Sequence, residues 1–391
     1  MEISAPTPLA SRATVAIGCL GEFFPTEFFR EAIGAGFAPV FQHHLMGEPG
    51  SSEDGPREVL AATMRALGKA GLAAPWGAGC AVSTTEEAAL FATAGYTWFT
   101  FDLAGMIDDR VGAMSLDQLD AAIVALEDGG CFSPGWHETY LDREWHTASG
   151  NTLRLGDETL ARAAVKFGQA LAHADQLQQA IRTLWIGRGA SPDVELNFAA
   201  RRTATSAEEF LFLAIESARR GLSPVSIAPS LGPVWQPGME FAGGKDDLEK
   251  MIVPLCEIAA LCGGLKVGIH FADGKPGLIS NTRNFSGHLH LNCGEAAWLD
   301  VLGRLADTQP HRFRQWLCLA QELFPFAIGD IPLTISEEDT HALPEVTDSA
   351  LREIFLGHVQ GRQLLLATFL AVARGNRSMR DALSSIGTAP A

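Results

Sequence analysis

With 391 residues, 47% of them apolar, the chain can bury a large core in one or two domains. Its formal net charge of −17, with no Lys/Arg stripe to offset it, excludes general nucleic-acid binding, because phosphates would be repelled. No run of about 20 apolar residues is present to span a bilayer, and the segment opening at Met1 lacks the basic-then-apolar pattern of an export signal.

The expectation is therefore a cytoplasmic protein, without nucleic-acid or membrane partners and with a homo-oligomer left open. The seven cysteines (19, 80, 131, 256, 262, 293 and 318) are scattered without a CxxC pair and read as buried, reduced thiols.

In chain order, eight short apolar or alternating runs read as strands: residues 13–21, 38–44, 75–82, 98–103, 194–201, 225–230, 266–271 and 288–293. Helix signals lie between them. Thr26 is placed to cap residues 27–34, Thr84 opens a helix that stops at Gly95, and Thr205-Ser206 opens another that stops at Gly221. A further helix over 246–262 ends at Gly263-Gly264.

Eight strands alternating with helices predict a (β/α)8 barrel, a single domain over residues 1–391. Residues 106–190 form a mostly helical insertion after the fourth strand, with helices near 116–126 and 157–186. Residues 295–391 form a helical extension, with helices near 295–306, 310–323 and 348–373.

Strand alternation also sorts side chains between the barrel interior and the helix layer. On the fourth strand Phe99, Phe101 and Leu103 take the helix side, leaving Trp98, Thr100 and Asp102 inward. On the fifth, Glu195, Asn197, Ala199 and Arg201 face inward, and on the sixth Ser226, Ala228 and Ser230. On the seventh, Lys266, Gly268 and His270 share a face; on the eighth, His288, His290 and Asn292 do.

Barrel active sites sit at the C-terminal ends of the strands, which nominates Asp102, Arg201, His270, His290 and Asn292. Glu195 and His288 come earlier in their strands and read as structural. Lys275 and Arg283 lie in a Gly/Pro/Asn-rich loop of the kind that carries binding residues. His43-His44 closes the second strand, where alternation lets only one of the two face inward. Motifs of other chemistries are missing: no GxSxG, no GxxxxGK[ST] and no HExxH.

The stretches Ala94-Gly-Tyr-Thr-Trp-Phe-Thr-Phe-Asp102, Leu160-Ala-Arg-Ala-Ala-Val-Lys-Phe-Gly168 and Gly268-Ile-His270, with His290 and Trp298-Leu-Asp300, resemble the tagaturonate/fructuronate epimerase family. The resemblance runs in order from about residue 39 to 326. It implies a barrel enzyme that inverts one carbon of a keto-hexuronate.

Where the family pattern carries an Asp-x-Asp-His cluster on the third strand, this chain reads Gly79-Cys80-Ala81-Val82. Where the fifth strand would end in an acidic pair, it reads Ala199-Ala200, then Arg201-Arg202. Asp102, His270, Lys275 and His290 remain.

The resulting expectation is an isomerase acting by proton removal and return beside a ketone. Asp102, His270 and Lys275 are its catalytic residues, with Asp102 in acid/base work. His270, His290 and Asp102 are the ligands of a divalent metal ion that would hold the enediolate. Arg201 or Lys275 grips the sugar acid's carboxylate, and Asn292, Arg283 and His44 complete the binding set. Two alternatives stay open: a barrel that binds a sugar acid without turning it over, and an aldolase using Lys275 as an imine former.

Overall fold

The computed structural model describes residues 5–19, 33–43, 55–69, 74–199, 203–232, 235, 241, 243–272, 278, 287–293, 295–327 and 347–387. All eight expected strands form: β1 (Thr14–Cys19), β2 (Ala38–His43), β3 (Gly77–Val82), β4 (Trp98–Asp102), β7 (Asp193–Asn197), β8 (Ser226–Ala228), β9 (Lys266–Ile269) and β10 (Leu289–Cys293). They close a barrel in the order β1-β10-β9-β8-β7-β4-β3-β2. Every neighbouring pair in it is parallel. Two-residue strands β5 (Trp145–His146) and β6 (Thr152–Leu153) make a separate antiparallel hairpin.

The alternation has the expected result. Val15, Ile17, Phe99, Phe101, Leu196, Val267, Ile269, Leu289 and Leu291 are fully buried in the layer between barrel and helices. Burying each such side chain contributes about 1.5–3 kcal/mol. Around them lie helices α1 (Gly55–Lys69), α2 (Thr85–Ala94), α3 (Leu116–Asp128), α4 (Asp157–Trp185), α5 (Ala207–Arg219) and α6 (Lys245–Leu261). Thr84 and Ser206 each close a capping box, with Glu87 and Glu209 reaching back to the cap amides. Gly95 ends α2 in the left-handed conformation, φ 98°. The expected helix over 27–34 falls largely outside the described residues.

The 29-residue α4 packs against α2 and α5, so it belongs to the barrel's own ring of helices. What is extra after β4 is the segment before it, holding α3 and the hairpin. After β10 come α7 (Glu295–Thr308), which packs on β1, and then α8 (Pro310–Ala327), α9 (Asp348–Arg352), α10 (Val359–Gly375) and α11 (Arg377–Gly387). These helices share a second apolar cluster, in which Trp298 stacks on Phe369 at 4.8 Å.

The helix expected over 348–373 is not continuous. A π turn at Glu353–Gly357 and extended backbone at His358 (φ −104°, ψ 148°) break it. There Gly361 packs so close to Phe355 that a Cβ would meet its Cα at 2.4 Å.

Of the described cysteines, Cys80, Cys256 and Cys293 are buried as expected, but Cys318 is exposed; none is bonded to another. Among the described residues no helix is long and apolar enough to cross a membrane.

The N-terminal floor of the barrel is sealed by residues 7–12. Asp193 accepts from the amides of Leu9 and Ala10, and Lys266 Nζ donates to the carbonyls of Ala10 (2.7 Å) and Arg12 (3.0 Å). Leu9 then packs inside against Ala16, Val40 and Trp98. With the floor closed by chain, the C-terminal mouth is the end left to chemistry.

Candidate active site

Inside the barrel the polar side chains gather around Glu195 on β7, which is fully buried. Its Oε1 accepts from His270 Nε2 (2.9 Å) and Thr100 Oγ1 (3.2 Å), and its Oε2 from Ser226 Oγ (2.8 Å). His290 Nε2 lies 3.6 Å from the same Oε2. Gly268 makes room for this, since a Cβ there would sit 2.6 Å from Glu195 Oε2 and 2.7 Å from Ala228 Cβ.

Burial alone would push the Glu195 carboxyl up. The two imidazoles, with the hydrogen bonds from His270 and Ser226, outweigh it and hold the group down to about 2. Glu195 is therefore a carboxylate at neutral pH and can only accept. That places His270's proton on Nε2.

The two nominated histidines do converge, but at different depths. His270 directly follows β9, where Phe271 turns the chain with φ +55°, a left-handed conformation uncommon for a bulky residue. Trp235 Nε1 donates to the His270 carbonyl at 2.8 Å. His270 keeps slight solvent access, whereas His290 has none.

His290 stacks on Trp98 at 4.3 Å, and its Nδ1 lies 2.8 Å from Thr14 Oγ1. Trp98 carries Lys266 Nζ on its ring, 4.8 Å from the centroid. Burial lowers Lys266 to about 8, with Asp193 and Glu195 pulling the other way. Burial likewise lowers His290 to about 3, with Glu195 opposing, so this imidazole is neutral.

This has a measurable consequence. Below pH 6.5 the unfolded chain protonates His290's ring while the folded chain does not, so folding stability falls as pH drops. The expected slope from this one group rises from about 0.7 kcal/mol per pH unit at pH 6.5 to about 1.4 near pH 5. Urea titrations of the protein and of His290→Gln across that range should give a shallower slope for the variant. Equal slopes would contradict a buried neutral ring.

Asp102 stands at the rim, exposed, on the inward face of β4. The walls of the mouth withhold enough water to raise its carboxyl above the ordinary range, and Glu87 adds to this. The Ala104 amide and His270 oppose the shift. Asp102 and His270 are thus in electrostatic reach of one another, and Asn292 lines the same end, half-buried.

Among the described residues no group of three His, Cys, Asp or Glu side chains is arranged to hold a metal ion, so His270, His290 and Asp102 do not form the expected ligand set. At the corresponding place on β3, Gly79 leaves space that Gln42 Oε1 fills, 2.5 Å from where a Cβ would be.

Arg201, Lys275, Arg283 and His44 lie outside the described residues. His43, the neighbour of His44, sits on the helix side with Nδ1 at 2.7 Å from Tyr96 Oη and Nε2 at 2.9 Å from Thr63 Oγ1. His288, expected inside beside His290, is exposed in a turn before β10 begins. Glu195, read from the sequence as structural, is the hub. Its signal was an acid at an inward position, facing two inward histidines.

A family model described as tagaturonate epimerase matches residues 5–386 of this chain. A curated relative, the tagaturonate/fructuronate epimerase of Thermotoga maritima, is 22% identical over 358 residues, which is 89% of this chain and 70% of that protein. The glycerol-bound crystal structure of the fructuronate-tagaturonate epimerase UxaE from Cohnella laeviribosi has a TM-score of 0.76 at 18% identity, covering 98% of this chain and 78% of that one. The native crystal form gives 0.74 at 20% identity, with the same coverage. At these identities the structural likeness is one of fold.

Proposed function

Because this chain belongs to the tagaturonate epimerase family, we propose that it is a hexuronate epimerase that inverts one carbon of a keto-hexuronate at the C-terminal mouth of its barrel. The observation that carries the reading is the His270–Asp102 pair at that mouth, one imidazole and one carboxyl with a raised pKa in electrostatic reach.

The sequence suggested proton removal from the carbon beside the ketone. Tagaturonate and fructuronate, the acids in the relatives' names, are C4 epimers, and C4 lies one carbon beyond the position that a C2 ketone acidifies. In our reading the first proton removed is that of the C4 hydroxyl. The C3–C4 electrons then pass to the ketone, giving an enediolate and an aldehyde. The aldehyde turns its other face, and the C3–C4 bond re-forms with C4 inverted.

His270 takes the hydroxyl proton at Nδ1, since Nε2 is engaged by Glu195, and returns it to the C4 oxygen once the bond has re-formed. In our reading Asp102, at the same rim, carries a proton at this step and donates it as a hydrogen bond to the developing enediolate oxygen. Arg201 or Lys275 supplies the cation for the substrate's carboxylate, with Asn292, Arg283 and His44 as further binding residues. The described residues offer no set that fits a divalent ion, so every step is written with side chains.

The test is incubation with either keto-hexuronate in deuterated water, followed by NMR. Interconversion without deuterium at C4 is expected. No interconversion would remove the epimerase reading, and deuterium at the inverted carbon would replace bond cleavage by proton abstraction. Elemental analysis, with turnover measured before and after chelation, tests the divalent cation expected from the sequence.

A further inference from the structure

Beneath His270 the barrel interior holds a file of polar groups, hydrogen-bonded except at one 3.6 Å step between His290 and Glu195, that does not reach the mouth. Lys266 Nζ donates to Thr14 Oγ1 (3.3 Å), Thr14 Oγ1 lies 2.8 Å from His290 Nδ1, and His290 Nε2 lies 3.6 Å from Glu195 Oε2. Glu195 Oε1 in turn accepts from His270 Nε2 at 2.9 Å. The residues come from four strands, β9, β1, β10 and β7, so no local turn requirement brings them together.

The direction of each bond follows from chemistry. An ammonium has only donors, so Thr14 accepts from Lys266 and its hydroxyl hydrogen is left available to His290 Nδ1, while Glu195, which can only accept, favours the ring proton on Nε2. His290 then carries its proton on Nε2, facing Glu195. That nitrogen is buried without a hydrogen-bond partner, and its proton points at a carboxylate just beyond bonding distance.

The stack on Trp98 fixes the ring plane, and the ammonium on that indole holds the indole in turn. The positive charge of Lys266 at the floor is offset by Asp193 beside it and, across a neutral imidazole, by Glu195 below the mouth. Either charge alone in this dry interior would carry a large desolvation penalty, which is a reason for opposite charges to occur together.

We propose that Glu195, His290, Thr14 and Lys266 are a positioning string, which fixes His270's proton on Nε2 and leaves Nδ1 as the nitrogen that acts at the mouth. Glu195 works directly on His270, and the other three work by holding Glu195 ionised and turned upward. None of the four touches substrate. His290, nominated from the sequence as a metal ligand, thereby acquires a role one layer lower. The inference deepens the epimerase reading, but its central observable does not depend on that reading.

Nitrogen-15 NMR of the ring nitrogens in the intact protein reports the tautomers without any substrate. The expected result is a protonated Nε2 and a bare Nδ1 for both His270 and His290 at neutral pH. A protonated Nδ1 on His270 would overturn the proposal. In Glu195→Gln the His270 signals should shift, and kcat should fall tenfold to a hundredfold with KM changing less than threefold.

Should Glu195→Gln fail to fold, Thr14→Val removes only one hydroxyl and should still move the His290 and His270 signals. A folded variant with unchanged ring-nitrogen signals and unchanged kcat would refute the string. If the tautomers are as stated but neither keto-hexuronate is converted, the epimerase reading falls and the positioning string stands.

Discussion

His270→Asn should lower kcat for keto-hexuronate interconversion by about a hundredfold to ten-thousandfold, the range for losing a positioned acid–base group. The protein should remain folded. Glu195 would keep its hydrogen bonds from Thr100 (3.2 Å) and Ser226 (2.8 Å), so its charge is not orphaned by the change. Losing the one imidazole bond should cost on the order of 1–2 kcal/mol of stability.

The loss should fall on kcat more than on KM, because the imidazole takes its proton as the C3–C4 bond breaks and contributes little to holding the ground state. Steady-state kinetics on the purified variant, with a melting curve beside it, separates these effects. A folded variant that kept more than a third of wild-type kcat would take His270 out of the reaction.

Much of the barrel was legible because a strand with one apolar and one polar face announces itself at period two. The runs at 98–103 and 266–271 gave both the strands and the inward set of Trp98, Thr100, Asp102, Lys266 and His270. Depth was not legible, because counting residues from a strand's end ignores the stagger between neighbouring strands in a closed barrel. In the observed register His290 stands opposite Gly268, and Leu291 opposite Ile269. His290 is therefore two residues lower than His270, and the mouth position on β10 belongs to Asn292.

Glu195 lies below the rim, as its place in the strand predicted, but its reach was not legible. It pairs with Thr100 on one side and Ser226 on the other, one step below the rim, where a side chain with two methylenes still reaches up to His270. Helix breaks were also hidden. The period-3.6 pattern runs unbroken through 348–373, and only the tight packing of Gly361 on Phe355 gives a reason for the kink before α10.

On the outside of the barrel, Glu216→Ala should be among the most damaging single changes to stability, costing about 3–5 kcal/mol as expected when one partner of a buried ion cluster is removed. Glu216 lies on α5 with a fully buried side chain. It accepts from Tyr140 Oη (2.7 Å), from Arg219 Nε (2.7 Å) and Nη2 (2.6 Å), and from Arg220 Nε (2.8 Å).

Arg220 is itself nearly buried. It reaches Asp175 on α4 at 2.8 Å, donates to the Cys131 carbonyl and lies over the Phe132 ring. One carboxylate therefore ties the segment between α3 and α4 to two helices of the ring. Burial would raise its pKa, but the bonds from Arg219 and Tyr140 hold it below the ordinary value.

Its stabilisation is accordingly present above pH 4.5, the ordinary value, and is lost as the pH falls below it. Alanine would leave the Arg220 guanidinium and the Tyr140 hydroxyl facing a cavity. Gln would keep the shape and one acceptor, so Glu216→Gln should cost less than half as much. Urea denaturation of both variants at neutral pH measures the difference. An alanine penalty below 1 kcal/mol would mean that Arg219 and Arg220 find other partners and that the cluster does not anchor the segment.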